Sequence, residues 1–197
     1  MSLELSFEKR YIIIYTLILA TTHHIISNIN SMYENIFNIK WPIEVIVLVM
    51  VLIFISIFDR NQKLRIALGI FFKKTPFEKA NQYLKKDNRI KNKSKIEMDL
   101  KNISNSDFFN KYYDKVKKEN VIIAKNSEYC IIRDIAFVIF VIMIVMLILT
   151  IIWCSQFYKE LIASMIAYIM AVISCRRKSK DFVLQIIVEY LSKEDES

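Results

Sequence analysis

The sequence predicts an all-α membrane protein in which four transmembrane helices form two hairpins around a helical cytoplasmic insert. Three observations carry that prediction. Hydrophobic residues make up 54% of the chain, with one glycine and two prolines, too few turn residues for a strand-rich architecture. Apolar runs with the length or near-length of a membrane crossing, about 20 residues, occur at 11–29, 43–58, 135–153 and 161–175. Finally, 19 of the 28 Lys and Arg residues fall within 60–133 against eight acids, leaving that stretch at +11 and the rest at −3. The expected organisation is a hairpin over 1–59, a basic insert over 60–133, a hairpin over 134–175 and a tail over 176–197.

The first run carries a polar stripe. Thr16, Ala20, His23 or His24, and Ser27 recur at helical spacing. Polar groups facing lipid are costly, so this stripe is expected to face other helices or water, as helix packing or as a pore-facing or proton-sensing surface, unless the His pair simply sits at the membrane interface. A loop with the single base Lys40 follows, and Trp41-Pro42 restarts the chain. Trp suits the headgroup level and Pro the first helical position. Residues 43–58 then run almost unbroken in Ile, Val, Leu, Met and Phe to Asp59-Arg60.

Within the insert, 61–72 is amphipathic and either continues the second span or lies along the interface. Thr75-Pro76 breaks it. A short helix is expected from Phe77 to Leu84 with Phe77, Ala80 and Leu84 on one side. The densest positive patch follows: Lys85, Lys86, Arg89, Lys91, Lys93 and Lys95, with Asp87 against them. A helical turn is expected at 96–100 and a helix start at Ser106-Asp107. Phe108, Phe109, Tyr112, Tyr113 and Val116 lie at three-to-four spacing, the period of a core face. A long helix is expected from Val121 into the third span.

Residues 135–153 form the most uniformly apolar run. The fourth span, 161–175, is shorter and carries Ala163, Ser164, Ala167, Ala171 and Ser174. Small residues at this period let helices approach closely, so this is expected to be an interior, oligomer-facing helix. Arg176, Arg177, Lys178 and Lys180 are expected to stop it, with a separate amphipathic helix over 182–191. Asp59, Arg60, Arg133 and Asp134 form either a charged collar at the cytoplasmic mouth or ordinary ion pairs and caps.

Several chemistries are not expected. One glycine, Gly69, cannot build a phosphate-binding glycine loop. Two adjacent histidines inside a span do not suit a metal cluster or a catalytic triad. Cys130, Cys154 and Cys175 have no paired spacing and read as buried apolar residues. Neither an enzyme nor a cofactor is expected, nor a cleaved signal peptide, since Glu4 and Glu8 precede the first apolar run.

The segments Thr75-Pro76-Phe77, Lys86-Asp87-Asn88-Arg89-Ile90, 109–113 and Arg133-Asp134 resemble small bacterial four-span membrane proteins with a basic cytoplasmic insert. Among these are effectors of anti-phage defence systems, Hailong-like or CRISPR-linked. The resemblance covers about 75–134 and departs in lacking glycines near Pro76. It implies an oligomeric effector, tetramer or larger, that forms a gated pore or ion channel. Its regulator would be a nucleotide, an oligonucleotide or a cytoplasmic protein partner at the basic patch. The alternative is a non-conducting anchor that recruits a soluble enzyme or nucleic-acid complex to the bilayer.

Positive charge also sets the expected topology. The loops after the first and third spans hold one base each, whereas the insert and the end of the fourth span are rich in them. The positive-inside bias then puts both termini and the insert in the cytoplasm of a bacterial inner membrane. A reporter fused within 30–40 should therefore read as external, and a cytoplasmic signal there would contradict this topology.

Overall fold

The computed structural model describes residues 16, 20, 23, 27, 53, 57–69, 74–87, 90, 94–152 and 158–195. Among them all regular structure is helical, with no strand. The elements are α1 (Arg60–Leu68), a 3-10 turn (Phe77–Lys79), α2 (Ala80–Lys86), α3 (Ser94–Leu100) and α4 (Asn105–Phe108). A π-helical turn (Phe109–Tyr113) leads into α5 (Asp114–Val116), followed by α6 (Asn120–Ile152) and α7 (Tyr158–Asp195). Two compact units result: Met1–Ala67 with Asp134–Ala171, and Leu68–Arg133 with Val172–Ser197.

In the first unit, α1 starts afresh and does not continue the second span. The Asp59 carboxylate accepts the Gln62 N–H at 2.7 Å and the Gln62 side-chain oxygen accepts the Asp59 N–H at 2.9 Å. This reciprocal capping box satisfies two donors that a helix start leaves open. Near the other end of α1, the Tyr168 hydroxyl donates to the Ile66 carbonyl at 2.6 Å. Phe58 meets Phe137 edge-on at 5.4 Å, Lys63 sits over the Phe137 ring, and Phe140 lies against Tyr168. The hydroxyls of Thr150 and Ser164 donate to the Met146 and Leu161 carbonyls of their own helices. An apolar surrounding demands such internal partners.

The second unit is built on aromatic packing. Phe77, Ala80 and Leu84 are buried along one side of the 3-10 turn and α2, as their spacing predicts. The helix start falls two residues before the expected one: Ser104 caps α4 by accepting the Asp107 N–H at 3.1 Å. In the next turn the Asp114 N–H reaches the Phe109 carbonyl, five residues back. The wider π turn keeps Phe108, Tyr112 and Val116 on one face, and all three are fully buried. Phe182 from α7 joins three segments. It meets Phe77 at 6.1 Å and Tyr113 at 6.0 Å edge-on, and stacks on Tyr129 at 5.8 Å. Tyr190 packs edge-on against Tyr112 at 4.8 Å. Such pairs each contribute about 0.5–1.5 kcal/mol beyond the area they bury. Ion pairs at the rim, Lys178 with Glu128 and Lys193 with Glu119, join α7 to α6 and the turn before it.

Two boundaries depend on single residues. Gly69, at φ +95°, closes α1, a left-handed C-terminal position where glycine meets no Cβ penalty. Asn102 turns the chain after α3 at φ 66°, a conformation Asn tolerates better than most residues.

One expectation is corrected. The cations Arg176, Arg177, Lys178 and Lys180 do not end a helix, and the tail is not a separate one. α7 runs unbroken through them from Tyr158 to Asp195. Lys and Arg are good helix formers, and this stretch has no Gly or Pro to break the ladder. The charge change therefore does not mark a break in the backbone.

Among the described residues, two helical stretches are long and apolar enough to cross a membrane, Asn120–Ile148 and Tyr158–Glu194. The other two expected spans, 11–29 and 43–58, lie outside the described residues. The exceptions are Thr16, Ala20, His23, Ser27, Ile53 and Ile57, all helical, and the bend at Phe58. Replacing Phe182 by Ala should cost about 3–5 kcal/mol of stability, and Phe182→Leu distinctly less. Both can be measured by thermal unfolding in detergent. Equal and negligible losses would show that the aromatic junction does not hold this unit together.

Candidate functional site

The predicted small and polar residues divide by exposure. Thr16, Ala20, His23 and Ser27 are all exposed, and His24 lies outside the described residues. On α7, Ala163, Ala167 and Ser174 are exposed, Ala171 is half-buried, and Ser164 is buried. Adjacent helical residues lie about 100° apart around the axis, which puts Ser164 on the side packed within the chain. The three exposed small residues border a broad apolar face of Ile162, Met165, Ile166, Ile169, Met170 and Ile173, each between 39% and 60% exposed. Scattered exposed apolar residues are ordinary, but six on one helical face are a contiguous patch.

The expected collar residues are placed unevenly. Asp59 caps α1 through its carboxylate. Arg60 is the first residue of α1, with its side chain outside the described set, and Arg133 and Asp134 are half-buried in α6.

Of the six bases expected to bind an anion, Lys85 and Lys86 are exposed at the end of α2. Lys85 pairs with Glu97 of α3 at 2.9 Å. Arg89, Lys91 and Lys93 lie outside the described residues, and Lys95 is in α3 with its side chain undescribed. Asp87, the acid within this patch, is buried. Lys111, in the π turn, reaches Asp99 of α3 at 2.6 Å. Exposed pairs of this kind contribute about 0–1 kcal/mol.

A second concentration of positive charge lies elsewhere in the same unit. Arg176 donates from Nε to the Leu68 carbonyl at 2.7 Å, and its Nη2 stands 2.7 Å from where a Cβ on Gly69 would sit. Lys79 is half-buried. Burial lowers its pKa, and the positive charges of Arg176 and Lys74 lower it further. Tyr83 feels the same guanidinium: burial raises its phenol pKa and Arg176 acts against that rise. The sequence hides this grouping, because Lys74 and Lys79 are about a hundred residues from Arg176. Its one local trace is the solitary glycine.

Burial, foremost, holds the Tyr112 phenol above its usual range, and its buried hydroxyl has no hydrogen-bond partner. Among the described residues no group of three or more His, Cys, Asp or Glu side chains is placed to hold a metal ion. Comparison with protein-family models, with curated proteins and with solved structures finds no match.

Proposed function

We propose that this chain is an oligomeric effector of a bacterial inner membrane, a gated pore or ion channel that depolarises the membrane. In this reading four spans anchor it, both termini are cytoplasmic, and an anionic ligand or protein partner at the basic cytoplasmic face regulates it. The observation that carries the reading is the exposed α7 face, in which Ala163, Ala167 and Ser174 border six large apolar side chains. Lipid suits the large side chains. The small ones suit a second helix at close range, where van der Waals contact and hydroxyl hydrogen bonds drive association within a bilayer. Among the described residues they are exposed, so another copy is the natural neighbour.

The exposed stripe of Thr16, Ala20, His23 and Ser27 fits the same reading, as a surface that supports or lines a pore. A regulator acts only through different affinities for the open and closed states, and the exposed Lys85 and Lys86 suit a polyanion. Binding there would draw on phosphate contacts and counterion release. The role in anti-phage defence rests on the resemblance of 75–134 to defence effectors.

The test is dye release or conductance from liposomes carrying the purified chain, with and without an oligonucleotide. The wild type should make bilayers leaky in one of the two conditions. Ala167→Leu, exposed in the single chain and so tolerated by its fold, should reduce both the oligomer and the flux by about tenfold, roughly 1.4 kcal/mol of association. Bilayers that stay tight in both conditions would defeat the channel. Recruitment of a soluble partner, lost on charge reversal at Lys85 and Lys86 with flux unchanged, would favour the anchor.

A further inference from the structure

We infer that copies of this chain join through two different lines on α7, the isoleucine ridge of one copy packing into the small-residue groove of the next. The contact is heterologous and closes into a ring of about four or five copies. This deepens the proposed oligomer and rests on its reading of α7 as a membrane helix.

The two lines run along the exposed side of α7. Ile162, Ile166, Ile169 and Ile173 form the ridge, each between 39% and 58% exposed. Ala163, Ala167, Met170 and Ser174 form the groove, all exposed. Each line steps by four, three and four residues, the spacing at which side chains of one helix enter the gaps of another over a long contact. The ridge is β-branched and stiff. Ala163, Ala167 and Ser174 let a neighbouring backbone approach closely, and Met170, unbranched, adapts to what meets it.

Every groove residue directly follows a ridge residue, so the lines stand about 100° apart around the axis. In a closed ring each helix meets two neighbours, whose directions diverge by about 60° in a ring of three, about 90° in four and about 108° in five. The observed separation falls between the last two.

Charge decides that the lines meet each other and not themselves. The seven-residue step from Ile166-Ala167 to Ile173-Ser174 leads on to Lys180-Asp181. Both are half-buried, and among the described residues neither has an ion-pair partner. Between these levels the lines carry Arg176, bonded to the Leu68 carbonyl, and Arg177, exposed to water. Copies in one membrane share an orientation, so their α7 helices run parallel. Lys180 of one copy then comes level with Asp181 of the next, as Ile166 does with Ala167. A two-fold contact would instead set Lys180 against Lys180 or Asp181 against Asp181.

Counting photobleaching steps of the full chain, labelled once per copy in phosphatidylcholine bilayers, reads the assembly without reference to flux. The wild type should give four or five steps, in line with the angle between the two lines. Lys180→Asp and Asp181→Lys should each weaken assembly by about fivefold per interface, both changes in one chain should restore it, and Lys86→Gln should change nothing. Mixing the two single variants restores only rings in which they alternate, so recovery on mixing selects four and its absence selects five. A lone chain at every density, as when lipid alone covers α7, overturns the interface. So does a dimer, or single variants that have no effect, or a double exchange that fails to restore assembly. A ring whose bilayers stay tight with and without oligonucleotide defeats the channel and spares the interface.

Discussion

The second unit depends on where Phe182 sits. Its ring is buried against Phe77, Tyr113 and Tyr129, one residue each from the 3-10 turn, the π turn and α6. The two turns are short, and neither would persist alone in water, since isolated helices below about 12–15 residues are marginal. A single aromatic junction therefore converts several weak local preferences into one packed body. Tyr190, two turns further along α7, repeats the device against Tyr112. The π turn lies between Phe108 and Val116, both buried with Tyr112 in this core.

Because Phe182 belongs to α7, this constraint bears on the whole helix. α7 exposes apolar side chains from Ile162 to Ile173 and buries Phe182, Val183, Leu184, Ile186 and Ile187 further on. One uninterrupted backbone thus carries a face suited to lipid or a second copy and a face that completes a packed core. The four cations between them are compatible with a helix because Lys and Arg carry little propensity penalty and keep their charged ends in water along apolar stems.

How much of this the sequence disclosed depends on range. Local patterns were legible: the buried line of Phe77, Ala80 and Leu84, the aromatic face at 108–116, and the long helix entering the third span all follow from spacing. Chain breaks were legible only where a Pro or a capping residue marks them, which is why Thr75-Pro76 is evident and the continuity of α7 is not. A run of four cations looks like a boundary because charge and structure often change together, and here only charge does. The pairing of Arg176 with Leu68 and Gly69 was invisible, since it joins residues more than a hundred positions apart with no periodicity between them. Of the candidate sites, the spacing of the small residues along α7 was readable, but not which of them are exposed in the single chain or that Ser164 is buried.

The central claim is that α7 passes without a break from an apolar surrounding to a polar one between Ile173 and Arg176. Nitroxide labels placed singly from Ile162 to Lys180, in the chain reconstituted into bilayers, measure this directly through collision with dissolved oxygen and with a water-soluble nickel chelate. The account predicts oxygen access at Ile162, Ile166, Ile169 and Ile173, a crossover within the next turn, and chelate access at Arg176 and Arg177. Chelate access at Ile166 and Ile169 equal to that at Arg177 would contradict it.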